Sequence, residues 1–138
     1  LIILHSFMIF QFFKELKITN SQIPQNLFDF MFIDFENNLR EMGFGDVAVN
    51  KKMKVFISAF YGRISNYSMG VELYKSNKDQ QKLFNTVKNN VYKNRKVSSK
   101  NIDFFVEYLI ANVNHFLKNT LEENVMSNFS FIYLEDMK

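Results

Sequence analysis

Asn50–Val71, NKKMKVFISAFYGRISNYSMGV, is the stretch that decides the fold. Met53, Phe56, Ile57, Phe60, Ile64, Tyr67 and Val71 recur three and four residues apart. An α-helix puts such positions on one side, whereas a strand, alternating every second residue, would scatter them over two faces. Asn50 is a residue type that caps helix starts, so the spacing predicts a helix from there, with FGDVAV before it as a loop. Beside the stripe runs a line of small residues, Ser58, Gly62 and Ser65. Glycine in a helix interior costs roughly 1 kcal/mol relative to alanine, which points to close packing at Gly62.

Four more helical patterns flank this one. Upstream, Pro24 suits a first helical turn, Leu27, Met31, Phe35 and Leu39 follow at helical spacing, and Gly43 offers a C-terminal stop. Glu36 precedes Arg40 by four residues, the favourable order for a surface ion pair. Downstream, Asn77 and Gln80 resemble a capping box for a fourth helix with Leu83, Phe84, Val87 and Val91 inward. Lys78, Lys82, Asn89, Lys93 and Lys96 follow helical spacing on its other side, and Arg95 and Lys100 extend the charge. Ser98 or Ser99 caps a fifth helix. One of its faces carries Ile102, Phe105, Leu109, Val113, Phe116 and Leu121; a second carries Phe104, Tyr108, Ala111 and His115. Only a narrow polar strip of Asp103, Glu107, Asn114 and Lys118 remains, so this helix is central or covered by a partner. The tail FSFIYLEDMK reads as either a short strand or an extended segment laid over the bundle.

Composition agrees with long elements. The 138 residues are 47% hydrophobic, enough for one domain with a substantial core, and 17 Phe with 6 Tyr and no Trp make that core ring-rich. Four Gly and one Pro are too few to punctuate a sandwich of short strands. The apolar opening, LIILHSFMIFQFF, is shorter than the about 20 residues of a membrane span and is interrupted by His5, Ser6 and Gln11. It reads as a buried core helix. It has no basic region ahead of it and no cleavage site behind, unlike a signal peptide. The expected architecture is all-α: a single-domain bundle of about five helices, residues 1–138, with an extended aromatic C-terminal segment.

Parts for catalysis are scarce. With no Cys and only His5 and His115, neither in an HExxH pattern, metal and thiolate chemistry lack donors. Asp103 and Glu107 lie four apart, as paired carboxylates would, but a solvated helix face explains them more simply. Phosphate-cradling GxxxxGK and GxGxxG patterns and the GxSxG elbow are absent. No catalytic residue, cofactor or metal is therefore expected, and the chain does not read as an enzyme. The formal charge is +3, and 14 of the 17 basic residues are Lys. They fall in two groups: Lys51, Lys52 and Lys54 at a helix start, where they oppose the macrodipole unless Asp46 compensates, and the series Lys78 to Lys100.

Two stretches carry a resemblance. LFDFMFIDFENNLREMGFGDVAV (Leu27–Val49) and KKMKVFISAFYGRISNY (Lys51–Tyr67) resemble the central signature of the ubiquinol-cytochrome c chaperone family, especially its alphaproteobacterial members. Leu39, Arg40, Glu41, Met42, Gly43, Gly45 and Asp46 match its LREMGxGD pattern, and Phe60, Tyr61, Gly62 and Arg63 match FYGR. The opening LIILHSF is similar to a family helix that follows a short N-terminal region, so Leu1 is expected to lie inside the domain. From Lys78 onward the similarity is looser.

The resemblance implies a helical assembly chaperone of respiratory complex III whose client is newly made cytochrome b, acting with a small co-chaperone and near the ribosome, without DNA. It implies the bacterial cytoplasm, with peripheral contact to the inner membrane open, or the mitochondrial matrix and inner membrane in a eukaryote. Arg40, Glu41, Asp46, Tyr61 and Arg63 are the candidate partner-binding residues. Structural roles compete: Glu41 could pair with Arg63 across the loop, Gly43 and Gly45 could take positive dihedrals, and Gly62 could admit close approach. Two other classes stay open. One is an RNA- or ribosome-binding module using the basic face Lys78, Lys82, Lys93 and Lys96. The other is an enzyme of quinone or haem metabolism with a pocket hidden in the bundle.

Overall fold

The computed structural model describes residues 1–16, 22–93, 95–119, 129–133 and 135. These form α1 (Ile2–Glu15), α2 (Ile23–Glu41), α3 (Asp46–Asn77), α4 (Gln81–Asn90) and α5 (Ser99–Asn119), with no strand among the described residues. The chain is an all-α domain, as its periodicity predicts.

The 32 residues of α3 span about 48 Å at 1.5 Å per residue. That length lets it line two cores. Tyr67 and Val71 in its C-terminal half pack with α1, α4 and α5 around Phe7, Phe12, Leu83, Leu109 and Phe116. Val49, Met53 and Phe60 in its N-terminal half pack with Phe32 and Leu39 of α2 and with Phe10 of α1. Ile64 borders both clusters. Rings dominate each: Phe60 meets Phe32 edge-on at 5.4 Å, and Phe12 meets Phe116 at 5.4 Å. The opening segment is the expected buried helix, with Leu4, Phe7, Met8 and Phe12 almost wholly covered. Its C-terminal end is tied to α3 by two ion pairs, Lys14–Glu72 at 2.9 Å and Lys75–Glu15.

α2 stops where Gly43 predicts. Gly43 has φ +86°, its N–H donates to the Arg40 carbonyl at 2.9 Å, and the Phe44 N–H donates to the Leu39 carbonyl at 3.2 Å, a Schellman closure. Gly45 departs from expectation. Its φ is −72°, and it needs no positive dihedral because it caps the next helix in extended backbone. α3 accordingly begins at Asp46, one turn before Asn50, with the Val49 N–H donating to the Gly45 carbonyl at 3.0 Å. Asp46 in the first turn favours this earlier start by opposing the positive end of the macrodipole. Lys51, Lys52 and Lys54 therefore lie a turn inside the helix, and the Lys52 ammonium sits 4.5 Å from the Phe44 ring centre.

The Asn77–Gln80 capping box does not form. Asn77 ends α3 and its Oδ1 accepts from the Asp79 N–H, while Asp79 Oδ1 accepts from the Gln81 N–H at 2.8 Å, so Asp79 serves the start of α4. α4 is also shorter than its periodicity suggests, ending at Asn90. Asn89 and Asn90 are weak helix formers, and the Tyr92 hydroxyl donates to the Asn101 carbonyl, which fixes the turn against α5.

α5 is covered on two sides, leaving Asp103, Glu107, Asn114 and Lys118 exposed; Leu121 lies outside the described residues. The tail is neither helix nor strand over residues 129–133, and it lies over the bundle. Phe129 stacks on Phe116, and the buried Asn112 accepts from the Ile132 N–H at 2.9 Å while donating to the Tyr108 carbonyl.

Close packing falls at a different glycine from the one expected. A Cβ on Gly62 would meet nothing within 4 Å, whereas one on Gly70 would lie 2.5 Å from Leu83 Cδ2. The two glycines should therefore respond oppositely to one substitution. Gly62→Ala should raise stability by up to about 1 kcal/mol through helix propensity. Gly70→Ala should lose about 1–2 kcal/mol because overpacking against buried Leu83 outweighs that gain. Urea midpoints moving in the same direction would contradict this packing.

Candidate functional site

The α2–α3 junction is organised by one guanidinium. Arg40 donates to Glu36 Oε1 at 2.7 Å, as the i,i+4 spacing predicts, and also to Asp46 Oδ1. Asp46 first and Glu36 second raise the Arg40 pKa further above its ordinary value. The last turn of α2 is thus linked through Arg40 to the first turn of α3. Glu41 is exposed and does not pair with Arg63. The reason is distance along the helix: Arg63 stands 17 residues beyond Asp46, about 25 Å up α3. The five candidates hence divide into Arg40, Glu41 and Asp46 at the junction, and Tyr61 and Arg63 further along.

Tyr61 is 57% exposed, its ring tilted against Phe28 at 5.5 Å. Arg63 is half-buried in the wall of a cleft of about 460 Å³ where α1, α2, α3 and the end of α4 converge. Phe32, Phe35, Phe56 and Phe60 line it, with Tyr67 and Asn90 deeper along α3 and α4. Burial pushes the Tyr67 hydroxyl up to about 12, with Asn90 and Arg63 pulling the other way.

The basic face does not assemble as one helical stripe. Lys78 belongs to the α3–α4 connection with φ 62° and lies 4.8 Å from the Tyr74 ring centre. Lys82 is on α4, while Lys93, with φ 50°, and Lys96 come after that helix ends. A short α4 separates charges that a longer helix would align.

A different face stands out. Val55, Ser58, Gly62, Ser65 and Met69 are all exposed, and their 3-4-3-4 spacing puts them on one side of α3, away from both cores. Its small members form the line already visible in the sequence, and two apolar residues flank them, Val55 at 61% and Met69 at 53% exposure. Their heptad spacing was the available signal. Among the described residues no group of His, Asp or Glu could hold a metal ion, and no helix is long and apolar enough to cross a membrane.

The family model described as ubiquinol-cytochrome C chaperone matches residues 1–131. The chain belongs to this family. Membership gives a chaperone with a client protein and a role in complex III assembly, and implies no reaction of its own. No curated protein and no solved structure matches the chain. Both motifs by which the sequence resembles this chaperone family lie within the matched region, LREMGFGD at the Arg40 junction and FYGR at the cleft wall.

Tyr67 gives a pH test of the cleft wall. Its folded pKa of about 12 exceeds the ordinary 10.0, so the unfolded chain loses this proton first as pH rises. The associated stability is complete below pH 10 and should decline as pH climbs towards 12. Tyr67→Phe should flatten part of that decline in urea unfolding; Tyr108, also raised by burial, acts in the same direction. An equally steep decline in the variant would contradict it.

Proposed function

We propose that this chaperone holds newly made cytochrome b for complex III assembly, and that the outward face of α3 receives a helix of that client. The observation that carries this reading is the exposed seam Val55–Ser58–Gly62–Ser65–Met69, joined to membership of the family. A membrane protein awaiting assembly has apolar helices with unsatisfied packing surfaces. Small residues let a second backbone approach closely, and closeness maximises van der Waals contact without a strong pull from polar groups. Val55 and Met69 at the ends add apolar area, and methionine adapts its shape to varied partners. Binding of this kind shields a client by burial and needs no bond-making chemistry.

α2 adds to the same reading. Phe30 and Ile33 are exposed, three residues apart on the side away from Phe28, Phe32 and Phe35. The Arg40 links hold the hairpin that carries these surfaces. A small co-chaperone and the ribosome are further partners in this proposal, which locates the chaperone at the periphery of the membrane that houses complex III.

The test separates folding from docking. Gly62→Leu adds a side chain where nothing lies within 4 Å, so the domain should keep its helicity and thermal transition. In cells lacking the native gene, Ser58→Leu with Gly62→Leu should fail to restore complex III and its haem signal, while other respiratory complexes persist. Full restoration by that variant would remove α3 as the docking face, and normal complex III in the deletion strain would remove the chaperone role.

A further inference from the structure

The cleft beside Arg63 is separate from the outward seam of α3, and its chemistry is lopsided. Its apolar wall comes from Phe32, Phe35, Phe56 and Phe60 together with the first turn of α1. Its charged lining residues are Arg63 and Lys93, both cationic, and no carboxylate lines it. Among the described residues neither cation is in an ion pair. Arg63 is half-buried, so an anion beside it would be screened less than one on the open surface. Asn90 adds a neutral amide on the same side as Lys93.

We propose that this cleft binds a single-chain carboxylate amphiphile, a long-chain fatty acid, with the alkyl chain along the phenylalanines and the carboxylate between Arg63 and Lys93. The volume of about 460 Å³ sits towards the lower end of small-molecule pockets, about 300–1,000 Å³, which suits one alkyl chain. The planar guanidinium can take the carboxylate through two parallel N–H donors, and Lys93 at the lip supplies a second, more mobile charge. The aromatic wall supplies affinity by burial, and the cations select the head group.

The purified full chain, titrated with oleate against oleyl alcohol by displacement of a fluorescent naphthalene sulfonate dye, tests this. Oleate should displace the dye at least about tenfold more effectively than the alcohol, the size of one charge-assisted hydrogen bond. Arg63→Gln with Lys93→Gln should erase that preference and leave helicity unchanged. Ala59→Phe, which fills the cleft from α3, should weaken both ligands. Equal displacement by alcohol and acid, or an acid preference surviving the double variant, would overturn the proposal. So would binding to phosphatidylglycerol vesicles, or to an acidic apolar peptide, without binding to oleate. A loss of oleate binding that leaves complex III assembly intact would still support it, because the client seam lies on another face of α3.

Discussion

One helix has to satisfy two cores at once, and that requirement shapes the rest of the molecule. α3 runs unbroken from Asp46 to Asn77, with Val49, Met53 and Phe60 committed to α2, and Tyr67 and Val71 to α1, α4 and α5. A helix in two cores cannot bend far without opening one of them, because interiors are packed like solids. The features around α3 preserve its line. Gly45 and Asp46 start it a turn early, Lys14–Glu72 and Lys75–Glu15 hold its far half to α1, and Gly70 lets Leu83 of α4 press against its backbone.

Commitment of the inner side to two cores leaves the outer side free along most of its length. Nothing in the described chain covers the seam from Val55 to Met69. A long helix held in two cores, with a small-residue ridge on its outer side, is a good receiver for another helix, since it offers close approach without first having to be ordered. The Arg40 junction serves this arrangement from a distance. By linking the last turn of α2 to the first turn of α3, it fixes the hairpin whose outer surfaces carry Phe30, Ile33 and Val55.

Much of the architecture was legible in the sequence, and the misses share a cause. Five helices, the buried opening segment, the Gly43 stop and the Glu36–Arg40 pair follow from local rules of spacing and capping, which act within a few residues. α3 starts earlier than local rules predict because Asn50 is a good cap in isolation, whereas Gly45 with Asp46 places the start where Arg40 reaches across. α4 is shorter than the lysine spacing suggests because that spacing mimics a helical face even where the chain has turned at Tyr92 and Lys93. Close packing falls at Gly70 rather than at Gly62 because a sequence shows that a helical glycine costs stability but not which neighbour it accommodates; Leu83 is thirteen residues from Gly70 and invisible to local reasoning. Glu41 and Arg63 have opposite charges, but helix rise keeps them apart. For the site, the two motifs lie at the α2–α3 junction and along the cleft wall, while the exposed seam needed a three-dimensional face to be seen. The tail shows the same limit: its phenylalanines point to burial, yet where the segment docks depends on distant partners, Phe116 under Phe129 and Asn112 beneath the Ile132 N–H.

The proposed chaperone role requires cytochrome b to contact the outward face of α3. Photo-crosslinking groups placed singly at Ser58 and Ser65, and for comparison at Asp103 on the solvent side of α5, would probe that contact in native membranes during synthesis of the respiratory chain. Cytochrome b peptides should be linked to positions 58 and 65 and absent from position 103. Cytochrome b linked to position 103 alone, or to none of the three, would contradict that contact.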